Sequence, residues 1–120
     1  LRVHELSIAV SMIEQITSES AARDDLRAAT VEVVHLRLGV FSGVDKDALL
    51  FSYALACEGT PLAGSRLEIE TVPLVVHCPV CDADKAPPSL WQICCPDCGA
   101  PTPDIVSGRE IEVRALEVAA

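Results

Sequence analysis

"CPVCDADKAPPSLWQICCPDCG" (residues 78–99) is the stretch on which the architecture turns. It holds two Cys-x-x-Cys knuckles, Cys78/Cys81 and Cys95/Cys98, thirteen residues apart. A two-residue gap lets both sulfurs of a knuckle turn toward one ion, and four thiolates match a closed tetrahedral zinc site. Gly99 gives the second knuckle the freedom to finish its turn. The competing readings are a pair of disulfides or a redox Cys-x-x-Cys. A reducing compartment disfavours the first. A matched second knuckle disfavours the second, which normally stands alone beside a βαβ pattern. Cys94 abuts Cys95 and leaves the ligand list open. A Cys94/Cys98 pair has three intervening residues, which zinc knuckles also tolerate, whereas Cys95 makes the two knuckles alike. A closed zinc site keeps no open coordination position, so it staples the fold and does not catalyse.

Residues 73–104 around the knuckles hold seven of the eight prolines and five of the six cysteines. No long periodic pattern runs through them. On either side the pattern changes. "SRLEIETV" (65–72) alternates Leu67, Ile69 and Thr71 against Glu68, Glu70 and Val72, as a half-buried strand does. "REIEVRALEV" (109–118) alternates in the same way through Ile111, Val113 and Ala115. The cysteine block therefore reads as a module inserted between two strands of one sheet.

Upstream, residues 5–22 form an amphipathic helix, with Leu6, Ala9, Val10, Ile13, Ile16 and Thr17 at helical spacing. Residues 29–40 are rich in β-branched side chains and read as a strand, with Val34, Leu36 and Leu38 on one face and His35 and Arg37 on the other. Residues 46–58 are a second helix, with Asp45 as N-cap and Gly59 and Pro61 as terminators. The order α-β-α-β-(Cys module)-β predicts an α+β fold: two helices packed on a three-stranded sheet, with an inserted zinc-ribbon module. The expected division is an α/β domain from 1–72 plus 105–120 and the zinc-ribbon module at 73–104. Cys57, on the second helix, is expected in the core. His77 is expected as a partly exposed loop residue or a hydrogen-bond partner of a thiolate, with a sharper role as a substitute zinc ligand in acid.

Composition limits function. The 120 residues are 50% hydrophobic but include only two Phe, one Trp and one Tyr, so the core must be aliphatic. A net charge of −9 and a pI near 4.6 argue against a nucleic-acid binder, which needs basic residues against phosphates. No run approaches the roughly 20 apolar residues of a membrane span, and Glu5 and Glu14 interrupt any signal-peptide core. A cytoplasmic location is the expectation. No nucleophile–base pair, paired carboxylates or phosphate loop points to an enzyme, and His35, in mid-strand, reads as a sheet-face histidine.

The chain start adds a second metal question. "LRVHEL" (1–6) places Val3 before a His-Glu pair. If Val3 stands at a natural initiator encoded by GTG, the native chain begins Met-His-Glu, and Leu1 and Arg2 lie outside it. His4 is then second in the chain. A terminal amine, backbone amides and an imidazole can surround one ion there, in the tetragonal nitrogen-rich setting that suits Ni(II) or Cu(II). Otherwise His4 is a solvated terminal residue and Glu5 a helix-start charge.

"VHELSIAVSMIEQI", "LRLGVFSGVDKDALLFSY", the two knuckles and "GREIEVRALEV" together resemble the HypA/HybF family of hydrogenase nickel-incorporation proteins, in order and over nearly the whole chain. The resemblance implies a nickel metallochaperone carrying Ni(II) as transient cargo and Zn(II) as a structural ion at Cys78, Cys81, Cys95 and Cys98. It implies nickel ligands at His4, Glu5 and the Val3 backbone, with Asp45 as a further candidate. It also implies two partners, a nickel-handling GTPase accessory protein and a [NiFe]-hydrogenase large-subunit precursor, with urease as an occasional recipient. No nucleic acid or membrane partner is expected; a homodimer is open. Two residues ahead of His4 beyond the family's start predict weaker or rearranged nickel binding than in a chain beginning Met-His. The alternative function is a zinc-ribbon protein-interaction adaptor without nickel transfer.

Overall fold

The computed structural model describes residues 4–26 and 29–119. The chain divides into two compact units: Leu1–Arg37, Gly43–Glu70 and Glu112–Ala120 in the first, Leu38–Ser42 and Thr71–Ile111 in the second.

Helix α1 (Glu5–Ala22) buries Ala9, Met12, Ile13 and Ile16, a stripe at i, i+3, i+4 and i+7. Leu6 and Val10, expected on that face, are exposed, and Met12 takes their part. The stripe is turned because α1 packs along α2 (Lys46–Cys57), which buries Leu49, Tyr53 and Cys57. Asp45 caps α2 as expected: its Oδ1 accepts from the amides of Asp47 at 3.0 Å and Ala48 at 3.3 Å. Beyond α2, the Ser65 hydroxyl donates to the Leu62 carbonyl at 2.6 Å, so the buried Tyr53 hydroxyl must donate to Ser65 Oγ at 2.7 Å. Burial pushes the Tyr53 phenol above its ordinary range, so it stays a donor.

Strands β1 (Thr30–Gly39), β2 (Arg66–Val72) and β6 (Ile111–Ala119) make a sheet in the order β2-β1-β6. His35 meets Glu68 and Arg37 meets Glu70, numbers that rise together, so β1 and β2 are parallel. Arg37 meets Glu112 while the Gly39 amide bonds the Glu110 carbonyl, numbers that run oppositely, so β1 and β6 are antiparallel. α2 is thus the crossover of a βαβ unit. β6 is an edge strand on the other side of β1. Ile111 and Val113, which alternate as a buried face should, are exposed.

The second unit is a small antiparallel sheet in the order β4-β3-β5, from β3 (Val75–Cys78), β4 (Ala83–Lys85) and β5 (Asp104–Ser107). Val76 pairs with Lys85 on one side and Ile105 on the other. Strands this short fall below any window in which a period of two can be read. Leu38, Val72, Leu74 and Val76 are its buried aliphatic residues. Gly39 and Gly108 make a close backbone approach: a Cβ on Gly39 would lie 2.0 Å from the Gly108 carbonyl oxygen, and Gly108 has φ of 115°.

Candidate metal centre

The two knuckles are built alike. Cys78 ends β3 opposite Ala83, and the chain turns through Pro79–Asp82 into β4. The Cys81 amide points back at Cys78 Sγ, 3.3 Å away. In the second knuckle the Gly99 amide donates to the Cys95 carbonyl and the Cys95 amide to the Ala100 carbonyl, both at 2.9 Å. Each turn is finished by a residue in the left-handed region directly after its second cysteine: Asp82 (φ 50°) and Gly99 (φ 75°). Asp tolerates that conformation better than most residues with a Cβ. The aspartate following Cys81 is the sequence signal for this matching turn.

In each knuckle the first sulfur is buried, at Cys78 and Cys95, and the second is exposed, at Cys81 and Cys98. All four converge, with ligand atoms within 4.8 Å of one another. Cys78 Sγ lies 3.5 Å from Cys98 Sγ, and Cys81 Sγ lies 3.9 Å from Cys95 Sγ. Four sulfurs at the zinc–thiolate bond length around one ion would be about 3.8 Å apart along each tetrahedral edge. The set therefore fits structural zinc. Cys94 stands outside it and bridges to Pro101, which favours Cys95 as the member of the set.

The cluster's electrostatics are uneven. The Cys98 amide, helped by that of Asp97, holds the Cys95 thiol down to about 7 against its burial. Hydrogen bonds from Cys98 first, then Cys78 and Cys95, push Cys81 up to about 12. The knuckle's own amides thus favour a thiolate at the buried Cys95, the form that ligates metal. Lys85 on β4 reaches Asp97 at 2.6 Å and ties the first hairpin to the second knuckle.

His77 lies on β3 and not in a loop. Its Nδ1 is 3.1 Å from Asp84 and its Nε2 3.4 Å from Asp82, so both ring nitrogens face carboxylates and neither bonds a thiolate. The Asp84 hydrogen bond raises its pKa above the ordinary imidazole value.

At the chain start, His4 occupies the N-cap position of α1, is exposed and caps nothing with its side chain. Glu5 accepts a hydrogen bond from the Asp45 amide, 3.2 Å from its Oε2. The first turns of α1 and α2, forty residues apart, therefore meet. Val3 lies outside the described residues. Among the described residues, His4, Glu5 and Asp45 do not form a group whose ligand atoms lie within 4.8 Å of one another; the cysteines do, and so do His35, Glu68 and Glu117. Cys57 is buried against α2's neighbours, as expected of a core cysteine.

A family model described as hydrogenase/urease nickel incorporation metallochaperone, HypA, matches residues 3–118. The chain belongs to the HypA family. A hydrogenase maturation factor HypA of Roseiflexus sp. is 54% identical over 96% of this chain and 91% of its own. That of Chloroflexus aurantiacus is 48% identical over 96% and 98%. The solution structure of the Ni metallochaperone HypA from Helicobacter pylori shares the fold, with a TM-score of 0.67 at 24% identity, covering 98% of this chain and 99% of that one. This HypA-family protein is a nickel metallochaperone of hydrogenase maturation and not an enzyme. No helix among its described residues is long and apolar enough to cross a membrane.

Proposed function

We propose that the protein takes up Ni(II) at its chain start, through His4, Glu5 and the Val3 backbone with help from Asp45, and passes it to an immature [NiFe]-hydrogenase large subunit. The observation that carries the reading is the hydrogen bond from the Asp45 amide to Glu5, which brings together the first turns that bear these candidate ligands. Handover needs ligands that exchange, and an exposed His4 suits that better than a closed cage. The four cysteines hold Zn(II) as a structural ion and make the second unit a zinc ribbon, while the first unit, which carries His4, Glu5 and Asp45, is the nickel-binding domain. A nickel-handling GTPase supplies the ion or drives its transfer. The cytoplasm is where such partners and reduced cysteines coexist.

Calorimetric titration of the zinc-loaded protein with Ni(II) tests this reading. A bound equivalent that is lost in His4→Ala, and that tightens when the chain begins with Met in place of Val3, supports it. A nickel stoichiometry indifferent to His4→Ala sinks the terminal site, and no nickel equivalent at all returns the protein to a zinc-ribbon adaptor.

A further inference from the structure

The open face of the three-stranded sheet carries charges from all three strands. Arg37 pairs with Glu112 at 2.9 Å and Glu70 at 3.9 Å, Arg114 with Glu70 at 3.1 Å, and Arg66 with Glu68 at 3.0 Å. Three guanidiniums thus meet Glu68, Glu70 and Glu112. A fourth carboxylate, Glu117, has an imidazole as its partner: its Oε2 lies 2.5 Å from His35 Nε2. Glu68 Oε2, on the side away from Arg66, lies 3.6 Å from His35 Nδ1.

His35 therefore has a carboxylate on each ring nitrogen. A neutral imidazole has one N–H and one lone pair, so it satisfies one of these oxygens and opposes the other. A cation resolves the conflict. That cation is a metal ion that takes one imidazole nitrogen and draws in an oxygen from each carboxylate, the other ring nitrogen keeping its N–H. The three ligand atoms lie within 4.8 Å of one another, on three adjacent strands of a sheet that fixes their spacing. One imidazole and two carboxylates form a donor set that borderline divalent ions accept, with further positions left to water. A cavity of about 150 Å³, lined in part by His35, Glu68, Glu70 and Arg114, opens beside the cluster and gives those waters room.

We propose that His35, Glu68 and Glu117 bind a divalent transition ion, Ni(II) or Zn(II), at a site built from residues other than the chain-start and cysteine ligands. The inference does not depend on the terminal nickel site, because it concerns different residues.

The test is equilibrium dialysis of the zinc-loaded full chain against NiCl₂, with bound nickel counted, and then against ZnCl₂. The background is His4→Ala, so that terminal uptake is removed. The expected result is one equivalent of added metal in His4→Ala. Adding Glu117→Gln, which keeps side-chain volume, should weaken it at least tenfold, and adding His35→Ala should abolish it. Nickel-edge absorption of the loaded His4→Ala protein should show an oxygen and nitrogen shell without sulfur. Equal uptake with and without Glu117→Gln overturns the proposal, because the ion is then bound elsewhere. No uptake by His4→Ala overturns it too, and so does a sulfur-bearing shell, which would mean the ion had gone to the cysteines.

Discussion

In the first unit, Ala9, Met12, Ile13 and Ile16 of α1, Leu49 and Tyr53 of α2, and Val34 and Leu36 of β1 are buried. In the second, the buried aliphatic residues are Leu38, Val72, Leu74 and Val76, with Cys78 and Cys95 beside them. The first unit also holds both helices, whose ladders satisfy their own backbone groups. The second has strands of three and four residues. One unit has enough apolar area to hold itself together. The other substitutes four sulfurs around one ion for the area it lacks, as small domains commonly do. Knuckle spacing is therefore worth more to the second unit than any hydrophobic pattern, and its strands need no strong sequence signature.

The contrast breaks most directly at the metal. Chelating the zinc, which in small structural sites contributes roughly 10–16 kcal/mol, should abolish amide protection at Val76 and His77 while the helical circular dichroism of α1 and α2 persists. Acid should do the same, since thiols must lose their protons to ligate and regain them as pH falls. If Val76 stays protected in chelator, the few aliphatic residues suffice and the comparison is wrong. Next in size, Leu49→Ala should cost about 2–5 kcal/mol in urea unfolding, because it leaves a cavity at a fully buried position of the first unit. A cost under about 1 kcal/mol would show that this core is loosely packed. Asp45→Ala should cost about 1 kcal/mol through the lost cap of α2. Asp45→Asn keeps the cap but removes the charge. Nickel affinity that falls in both variants marks the carboxylate as a ligand; affinity that falls only with Ala marks it as a positioning residue. Smallest, Trp91→Ala should change stability by no more than about 0.5 kcal/mol, because the indole is 93% exposed. A larger loss would mean that the loop between the knuckles contributes to a core of its own.

Regular elements with long periods were legible. α1 spans residues 5–22 as its spacing predicts, and Asp45 caps α2 because short carboxylates accept from first-turn amides wherever the backbone enters a helix. The face of α1 was less legible. Leu6 and Val10 fit the period as well as Met12 does, and only packing against α2 decides among them. The exposure of Ile111 and Val113 was hidden for a similar reason: alternation marks a strand, but only the strand order shows that β6 is at the edge of the sheet. The cysteine cluster was readable because its ligands are close in sequence. The His35, Glu68 and Glu117 cluster was not, because 33 and 82 residues separate His35 from its partners and only the β2-β1-β6 order joins them. His77 was misplaced in a loop because β3 and β4 are too short to announce themselves.

The bond between the Asp45 amide and Glu5 joins the starts of two helices, and each start carries about half a unit of positive partial charge. A dication arriving there enters a field already disposed toward anions, so the carboxylates must first cancel that field before they can attract anything. Grip at such a place is bounded from above by the architecture itself, which is the property a carrier needs in order to let go.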